Sequence, residues 1–555
     1  MNPPTTDPAD SSIRPSRSLA GRWIAGGIAV LVFVTIAIAA QTRDLLNDRS
    51  VSNVISLGAG ILAGLIVLAM LYFWLRRSTS ALVSTLALGV IVVTPLSLIR
   101  FRGFTGEMIP ILEYRFNRVP QWQQPIAAAS DSTVAAATAF PQFLGANRDA
   151  VINQRDFAVP TGNEEEVWRI QIGEGWAGFA IEDQYCVTLE QRQERECVSC
   201  YRLSDGALLW IREDTARHQN SLGGVGPRST PTIAGDLVYT QGATGLVHCL
   251  KLTTGEVVWK TNLLELAGWS QDESESSVTW GRAASPLVLD SLCVVPFGRP
   301  IQRNPSSEML QGRSLIAFDK LSGEVRWTAG DDQISYASPV LMALGEQTQI
   351  VSVNEGTVTG HRIEDGQVFW SLDWPGQSNG GANCASALPV GDDAFLIAKG
   401  CGIGSAVFEV SRTADQWSVD ERWASHRVLK TKFTHACVDG EVAYGLSDGT
   451  LECVRLSDGK KLWAQSRGDR YGHGQTLRVG DCLVVQAEDG HVAFVAASAD
   501  EFKELSTINA LSSKTWNVPA IAGELLLVRN DFEAVLYRLP ARHSVDRLPA
   551  RSASE

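Results

Sequence analysis

Few side chains in this 555-residue sequence are spaced for chemistry. Cys197-Val198-Ser199-Cys200 has the spacing of a dithiol that binds metal or cycles redox state. It lies in a stretch that reads as a β-strand, where residues three apart face opposite sides. Two such thiols cannot easily share one metal, so the pair is expected to be strand packing. None of the ten cysteines has a neighbouring cysteine. The eight histidines show no His-Glu-x-x-His pairing, and neither a serine elbow nor a phosphate loop occurs. No catalytic, cofactor-binding or metal site is therefore assigned. One constellation remains. Arg228, Arg282, Tyr336, Asn383, Lys432, His473, Lys514 and Trp516 each stand at the start of a strand in a recurring pattern.

Those strands come from an internal repeat. A Ser/Thr/Asp-x-Gly turn leads into a strand carrying Trp: Leu203-Ser204-Asp205-Gly206 to Trp210, and Thr253-Thr254-Gly255 to Trp259. The pattern returns before Trp327, Trp370 and Trp463, with degenerate copies ending at Trp423 and Leu505. Gly supplies the positive φ of the turn, and the residues before it bond the turn backbone. A second hairpin alternates with the first. It opens on small residues or Pro, as in Ser229-Thr230-Pro231, Ala284-Ser285-Pro286 and Ala337-Ser338-Pro339. Two hairpins make one four-stranded sheet, and such sheets bury both faces only by closing radially. Eight inner hairpins predict eight blades. The last inner hairpin lacks a following Trp strand, whereas Glu166-Val167-Trp168-Arg169-Ile170 is a Trp strand without a hairpin. Its expected role is to close the ring. Cys200, Cys249 and Cys453 occupy equivalent repeat positions, which predicts buried packing.

Ahead of the repeat, Trp23–Ala40, Ile55–Leu75 and Ala81–Ile99 are apolar runs of membrane-spanning length. No ionisable residue interrupts them, so they read as an anchor. The flanking arginines favour a cytoplasmic N-terminus, which puts the C-terminal bulk outside the cytoplasm. The expected layout is a disordered 1–20, a three-helix transmembrane anchor over 21–102, a linker over 103–139, the propeller over 140–540 and a disordered tail over 541–555. A net charge of -13 with no long basic run argues against nucleic acid.

The blade pattern resembles the PQQ-like repeat shared by quinoprotein alcohol dehydrogenases and the barrel-assembly-machinery lipoprotein. Phe140-Pro141-Gln142-Phe143-Leu144-Gly145, Gly226-Pro227-Arg228-Ser229-Thr230-Pro231, Tyr471-Gly472-His473-Gly474-Gln475 and Lys514-Thr515-Trp516-Asn517 are similar to strings in bacterial membrane-anchored PQQ-binding-like propellers. The fold class implied is all-β: an eight-bladed PQQ-like β-propeller preceded by three transmembrane α-helices. The dehydrogenases carry adjacent cysteines over the quinone and hold calcium with Glu, Asn and Asp oxygens, and no motif for either can be carried over to this sequence. No cofactor is expected, with PQQ plus calcium the alternative. The intact repeat and the missing catalytic groups imply a non-enzymatic scaffold for other envelope proteins; three α-helical spans fit the lipid bilayer of the cytoplasmic (inner) membrane, with the propeller on the periplasmic or extracytoplasmic side. A PQQ-dependent oxidoreductase and an envelope ligand sensor are the alternatives. No Cys precedes Cys186, so no lipoprotein attachment site is expected.

In a propeller, the inner-strand starts converge at one mouth of the channel. Arg228, Arg282, Lys432, His473, Lys514 and Trp516 are the candidate ligand or partner contacts there, suited to an anion or an acidic peptide. The alternative is that the cations pair with acidic neighbours such as Glu190. The segment Leu264 to Arg282, with Trp269 and Trp280 around an acidic run, is a second candidate for partner contact or an ordered cover over a blade edge.

Overall fold

The computed structural model describes residues 19–42, 48–77, 79–116, 122–125, 138–300, 310–378, 380–414, 416–466 and 468–542. The chain divides into two units: Met1–Arg100 with Leu112–Phe116, and Phe101–Ile111 with Asn117–Glu555.

The first unit holds α1 (Leu19–Thr42), α2 (Arg49–Leu75) and α3 (Ala81–Leu98). All three are long and apolar enough to cross a membrane. Asp48 caps α2 by accepting from the Ser50 N–H, and Ser80 caps α3 by accepting from Val83. Gln41 ties α1 to α2, donating to Asn53 Oδ1 at 2.9 Å while its own carbonyl accepts from Arg49.

The second unit is an eight-bladed β-propeller. Blades 1 to 6 span 180–215, 232–262, 287–329, 340–373, 388–425 and 437–464, each a four-stranded antiparallel sheet in sequential order. Blade 7 (475–508) gains a fifth strand, Val151–Ile152, parallel to its inner strand. Blade 8 takes three strands from 520–538 and its outermost from Glu165–Gln171. The expected ring closure by the Trp168 strand is therefore present.

The Trp–Gly pattern has a simple cause. Each outer-strand Trp reaches the next blade and donates its indole N–H to the carbonyl that opens that blade's turn. Trp168 donates to Leu203, Trp210 to Leu252, Trp259 to Lys320 and Trp423 to Leu456, at 2.6–2.8 Å. The ring then lies on the turn glycine. A Cβ on Gly206 would sit 2.9 Å from Trp168, besides facing a φ of 69°. The exceptions fit the same geometry. Blade 5 joins its outer strands far out, at 413–416, so Trp370 turns to Gln349 of its own blade and stacks on Phe395. Blade 8 has no such turn, because its outer strand arrives from the N-terminal side. Blade 7 accordingly carries Ser506, not Leu505, at the Trp register, opposite Phe494. Cys200, Cys249 and Cys453 each pair directly with a Trp and are buried, as their equivalent positions predicted.

The small residues that open the inner strands link neighbouring blades. Thr230 N–H donates to Ser285 Oγ and Ser285 N–H to Ser338 Oγ, both at 2.9 Å. Thr230 Oγ1 accepts in the same way from Gly178 N–H at 3.1 Å, and His435 Nε2 from Ser386 N–H at 3.1 Å.

Two boundaries differ from expectation. Residues 103–111, expected within a linker, belong to a β-hairpin formed by β1 (Ile99–Phe104) and β2 (Pro110–Tyr114). Ala541 and Arg542, expected in a disordered tail, bridge to Phe157 and Asp156. The rest of that tail, residues 1–18, and most of 117–137 lie outside the described residues.

Candidate functional site

Four of the six candidate residues converge, and what they converge on is the chain itself. The turn between β1 and β2 sits on the mouth formed by blades 6, 7, 8 and 1. Lys514 Nζ donates to the Phe104 carbonyl at 3.1 Å, and Lys432 Nζ to the Gly106 carbonyl at 3.3 Å. His473 lies directly under Gly106: a Cβ on that glycine would be 2.5 Å from the imidazole Cδ2. Trp516 donates its indole N–H to Glu488 Oε1 at 2.8 Å, and Glu488 also accepts the backbone N–H of Gly106 and of His473.

Sequence reasoning missed the partners that complete this grip. Arg470 forms a two-pronged ion pair with Glu107, a buried carboxylate of the turn. Arg102 spans Glu174 and Asp531, both at 3.1 Å. Trp176 and Trp516 lie against each other with ring centroids 4.8 Å apart, and the Lys514 ammonium rests on the pair at 4.7 and 4.0 Å. Burial pulls the Lys514 pKa down to about 8, with Asp531 and Glu488 opposing the shift. Phe433 extends the aromatic wall, 4.8 Å from Trp516 and 5.6 Å from His473.

The local sequence explains why the wall approaches so closely. In Tyr471-Gly472-His473-Gly474, side chains at the two glycines would strike Glu488 and the Gln486 carbonyl. The glycines thus bring the backbone against the Glu488 strand and aim the carboxylate at the mouth. His473 is fully buried, neither ring nitrogen has a hydrogen-bond partner, and burial holds its pKa well below the ordinary histidine value. It is a neutral, flat floor.

Arg228 and Arg282 depart from the expected picture. Arg228 flanks the mouth but bonds the Gly226 and Gly223 carbonyls, at 3.1 and 2.7 Å. Glu190 is not its partner; that carboxylate is spent inside blade 1 on Arg192, Tyr201, Ser199 and the Gly173 N–H. Arg282 is not in the mouth. It is 2 % exposed, donates to the Phe297 carbonyl and packs on Trp269. Tyr336 and Asn383 are likewise buried, and Asn383 clamps the carbonyls of Asn354, Glu355 and Trp374. The segment after Leu264 folds as two short helices, Leu263–Ala267 and Gln271–Ser277, the second closed by a Ser270–Glu273 capping box.

Deeper along the axis, residues 140–152 cross the channel. They touch the inner strands of blade 1 at Ile181, blade 2 at Ile233 and blade 7 at Arg478. Arg148, 3 % exposed, donates to the Ser285 and Pro286 carbonyls at 2.9 and 2.8 Å. The mouth is thus a cup lined by cations, indoles and the carboxylates Glu488, Glu174 and Asp531.

Residues 194–465 match a family model described as PQQ_2, Outer membrane protein assembly factor BamB. An Outer membrane protein assembly factor BamB from Yersinia pestis is 23% identical over 337 residues, covering 57% of this chain and 76% of that protein. Among solved structures, quinohemoprotein alcohol dehydrogenase from Comamonas testosteroni aligns with a TM-score of 0.53 at 12% identity, over 75% of this chain and 82% of its own. BamB from Moraxella catarrhalis aligns with a TM-score of 0.46 at 16% identity, over 70% and 99%.

Proposed function

Because the chain is a PQQ-like repeat β-propeller preceded by three apolar helices, we propose that it is a membrane-tethered interaction module of the cell envelope. In this reading the helices anchor it in the cytoplasmic membrane, the propeller lies on the periplasmic side, and its partners are other envelope proteins. The observation that carries the reading is the mouth, which grips a polypeptide by its carbonyls, its N–H and its acidic side chain at once. A surface built to hold main chain as well as side chain is a protein-recognition surface. The match to an assembly factor supports the same class of role.

No cofactor enters this reading. A quinone held with calcium needs several carboxylate and amide oxygens aimed at one point. Here Glu488 accepts three N–H groups, Glu107 is matched to Arg470, and Glu174 and Asp531 to Arg102. With the turn seated, this donor set does not fit such a pair.

Cross-linking in native membranes, followed by identification of captured proteins, tests the proposal. Specific capture that falls when Arg228 and Lys432 are both changed to Glu is the expected result. Turnover of an alcohol or sugar after reconstitution with PQQ and calcium would replace it with the oxidoreductase reading. Protease access from outside intact cells tests the side of the membrane; a protected propeller refutes the periplasmic placement.

A further inference from the structure

The mouth holds a turn of defined chemistry. It needs glycine at position 106, because His473 leaves no room for a side chain. It needs an acid at the next position, because the Glu107 carboxylate lies buried against the Arg470 fork. It holds one further side chain, Arg102, between Glu174 and Asp531, while Lys514, Lys432 and Glu488 address only carbonyls and an N–H. The hold is polar. Phe101 and Ile109, which flank the turn, are 49% and 48% exposed, and Phe104 and Met108 within it are only half-buried. A segment held mainly by hydrogen bonds and ion pairs, with no fully buried apolar side chain, can be exchanged for another offering the same groups.

We propose that this cup is a recognition site for a tight turn carrying glycine followed by an acidic residue, that residues 102–107 fill it in cis, and that a Gly-Glu or Gly-Asp turn of a partner polypeptide displaces them. The inference rests on the interaction-module reading and names the ligand class of its surface. The covalent link gives the resident turn a high effective concentration, so a partner binds in competition with it.

The test uses the full-length protein in detergent. The double variant G106V/E107K removes both features the cup reads in its resident. The probe is a fluorescent peptide with the sequence of residues 100–111, Arg-Phe-Arg-Gly-Phe-Thr-Gly-Glu-Met-Ile-Pro-Ile. The variant is expected to bind this peptide at least tenfold more tightly than the wild type does, and to ignore a peptide carrying the same two changes. Arg470→Glu added to the variant is expected to abolish binding of the wild-type peptide and to restore it for a peptide with Arg at the Glu107 position. A variant that melts like the wild type yet does not bind the peptide overturns the proposal. So does equal binding of both peptides. Loss of peptide binding with partner cross-links intact would overturn this cup as the site while leaving the interaction-module reading standing.

Discussion

Ring closure rests on Trp168, whose removal should cost far more than an average substitution. The side chain is 8% exposed, covers Gly206 of blade 1, and donates to the Leu203 carbonyl at 2.8 Å. Trp168→Phe keeps an aromatic ring but leaves that carbonyl unpaired, a loss of about 1 kcal/mol. Trp168→Ala also empties the site, and large-to-small changes of this kind cost about 3–5 kcal/mol. Gly206→Ala places a Cβ where the indole lies and adds about 1–2 kcal/mol for an L-residue at positive φ. In a Trp168→Ala background the indole clash disappears, leaving the φ cost and a tight 3.0 Å approach to Ile170 Cγ2. The two changes should therefore be non-additive, with a coupling of about 1–3 kcal/mol. Urea unfolding followed by circular dichroism measures all four proteins. Trp210→Ala, within the ring rather than at its seam, serves as the reference. The Trp168 variant should in addition free the strand Glu165–Gln171 to protease while the protein is otherwise folded. A cost below about 1 kcal/mol for Trp168→Ala, or additive behaviour with Gly206→Ala, would refute the seam as described.

Three further outcomes are expected. Glu196 is buried between blades 1 and 2, accepts one N–H from Ala243, and burial raises its pKa from 4.5 to about 7. Its deprotonation therefore destabilises the fold progressively between pH 4.5 and 7, so Glu196→Gln should gain at most about 3 kcal/mol over wild type at pH 8 and nothing at pH 4, read by denaturant titration at both pH values. Lys514 has its pKa lowered to about 8 by burial, so its charge opposes folding at neutral pH and is shed as pH rises. Wild type should then gain stability relative to Lys514→Met between about pH 8 and 10.4, and a pH-independent difference would contradict the burial of the ammonium against the indole pair. Cys401 is exposed, Cys384 half-buried and the other eight of the ten cysteines buried, so a thiol reagent should label Cys401 fast, Cys384 slowly and the rest only on unfolding.

The parts of the fold legible in sequence are those written on a period. Gly206 and Trp168 can be paired by eye because their counterparts recur every blade, and the ring closure follows from counting an unmatched Trp strand. The same period puts the inner-strand starts at one mouth, and Lys432, His473, Lys514 and Trp516 meet there. The rest depends on contacts that occur once. Arg102 meets Asp531 across 429 positions and Arg470 meets Glu107 across 363, with no repeat to signal either. Arg282 shares the register of Arg228 but turns inward, because Trp269 and the two short helices before it roof that blade edge. Glu190 was a plausible surface partner by charge, yet it sits mid-strand, where its neighbours are its own blade's Tyr201 and Arg192.

Charge distribution explains why an acidic turn suits this cup on a protein that is acidic overall. The net charge is -13, so an acidic segment is repelled by the molecule taken as a whole. The axis is different. Arg148 and Arg529 are buried at 3% and 1% exposure and bond to carbonyl, amide and hydroxyl oxygens. Burial lowers their pKa values to about 9 and about 10, which still leaves both charged at neutral pH. Lys432, Arg470 and Arg228 stand above them at the rim. Desolvated cations along a low-dielectric axis act at longer range than solvated carboxylates on the outer faces, whose field is screened within about 8 Å at physiological salt. At the mouth the carboxylates Glu488, Glu174 and Asp531 are already matched to N–H groups and to Arg102, which leaves the Arg470 fork to meet an incoming acid. Selectivity of this kind rests on the Arg470 fork, so Arg470→Glu should reverse the preference from an acidic to a basic residue after the glycine, read by peptide binding.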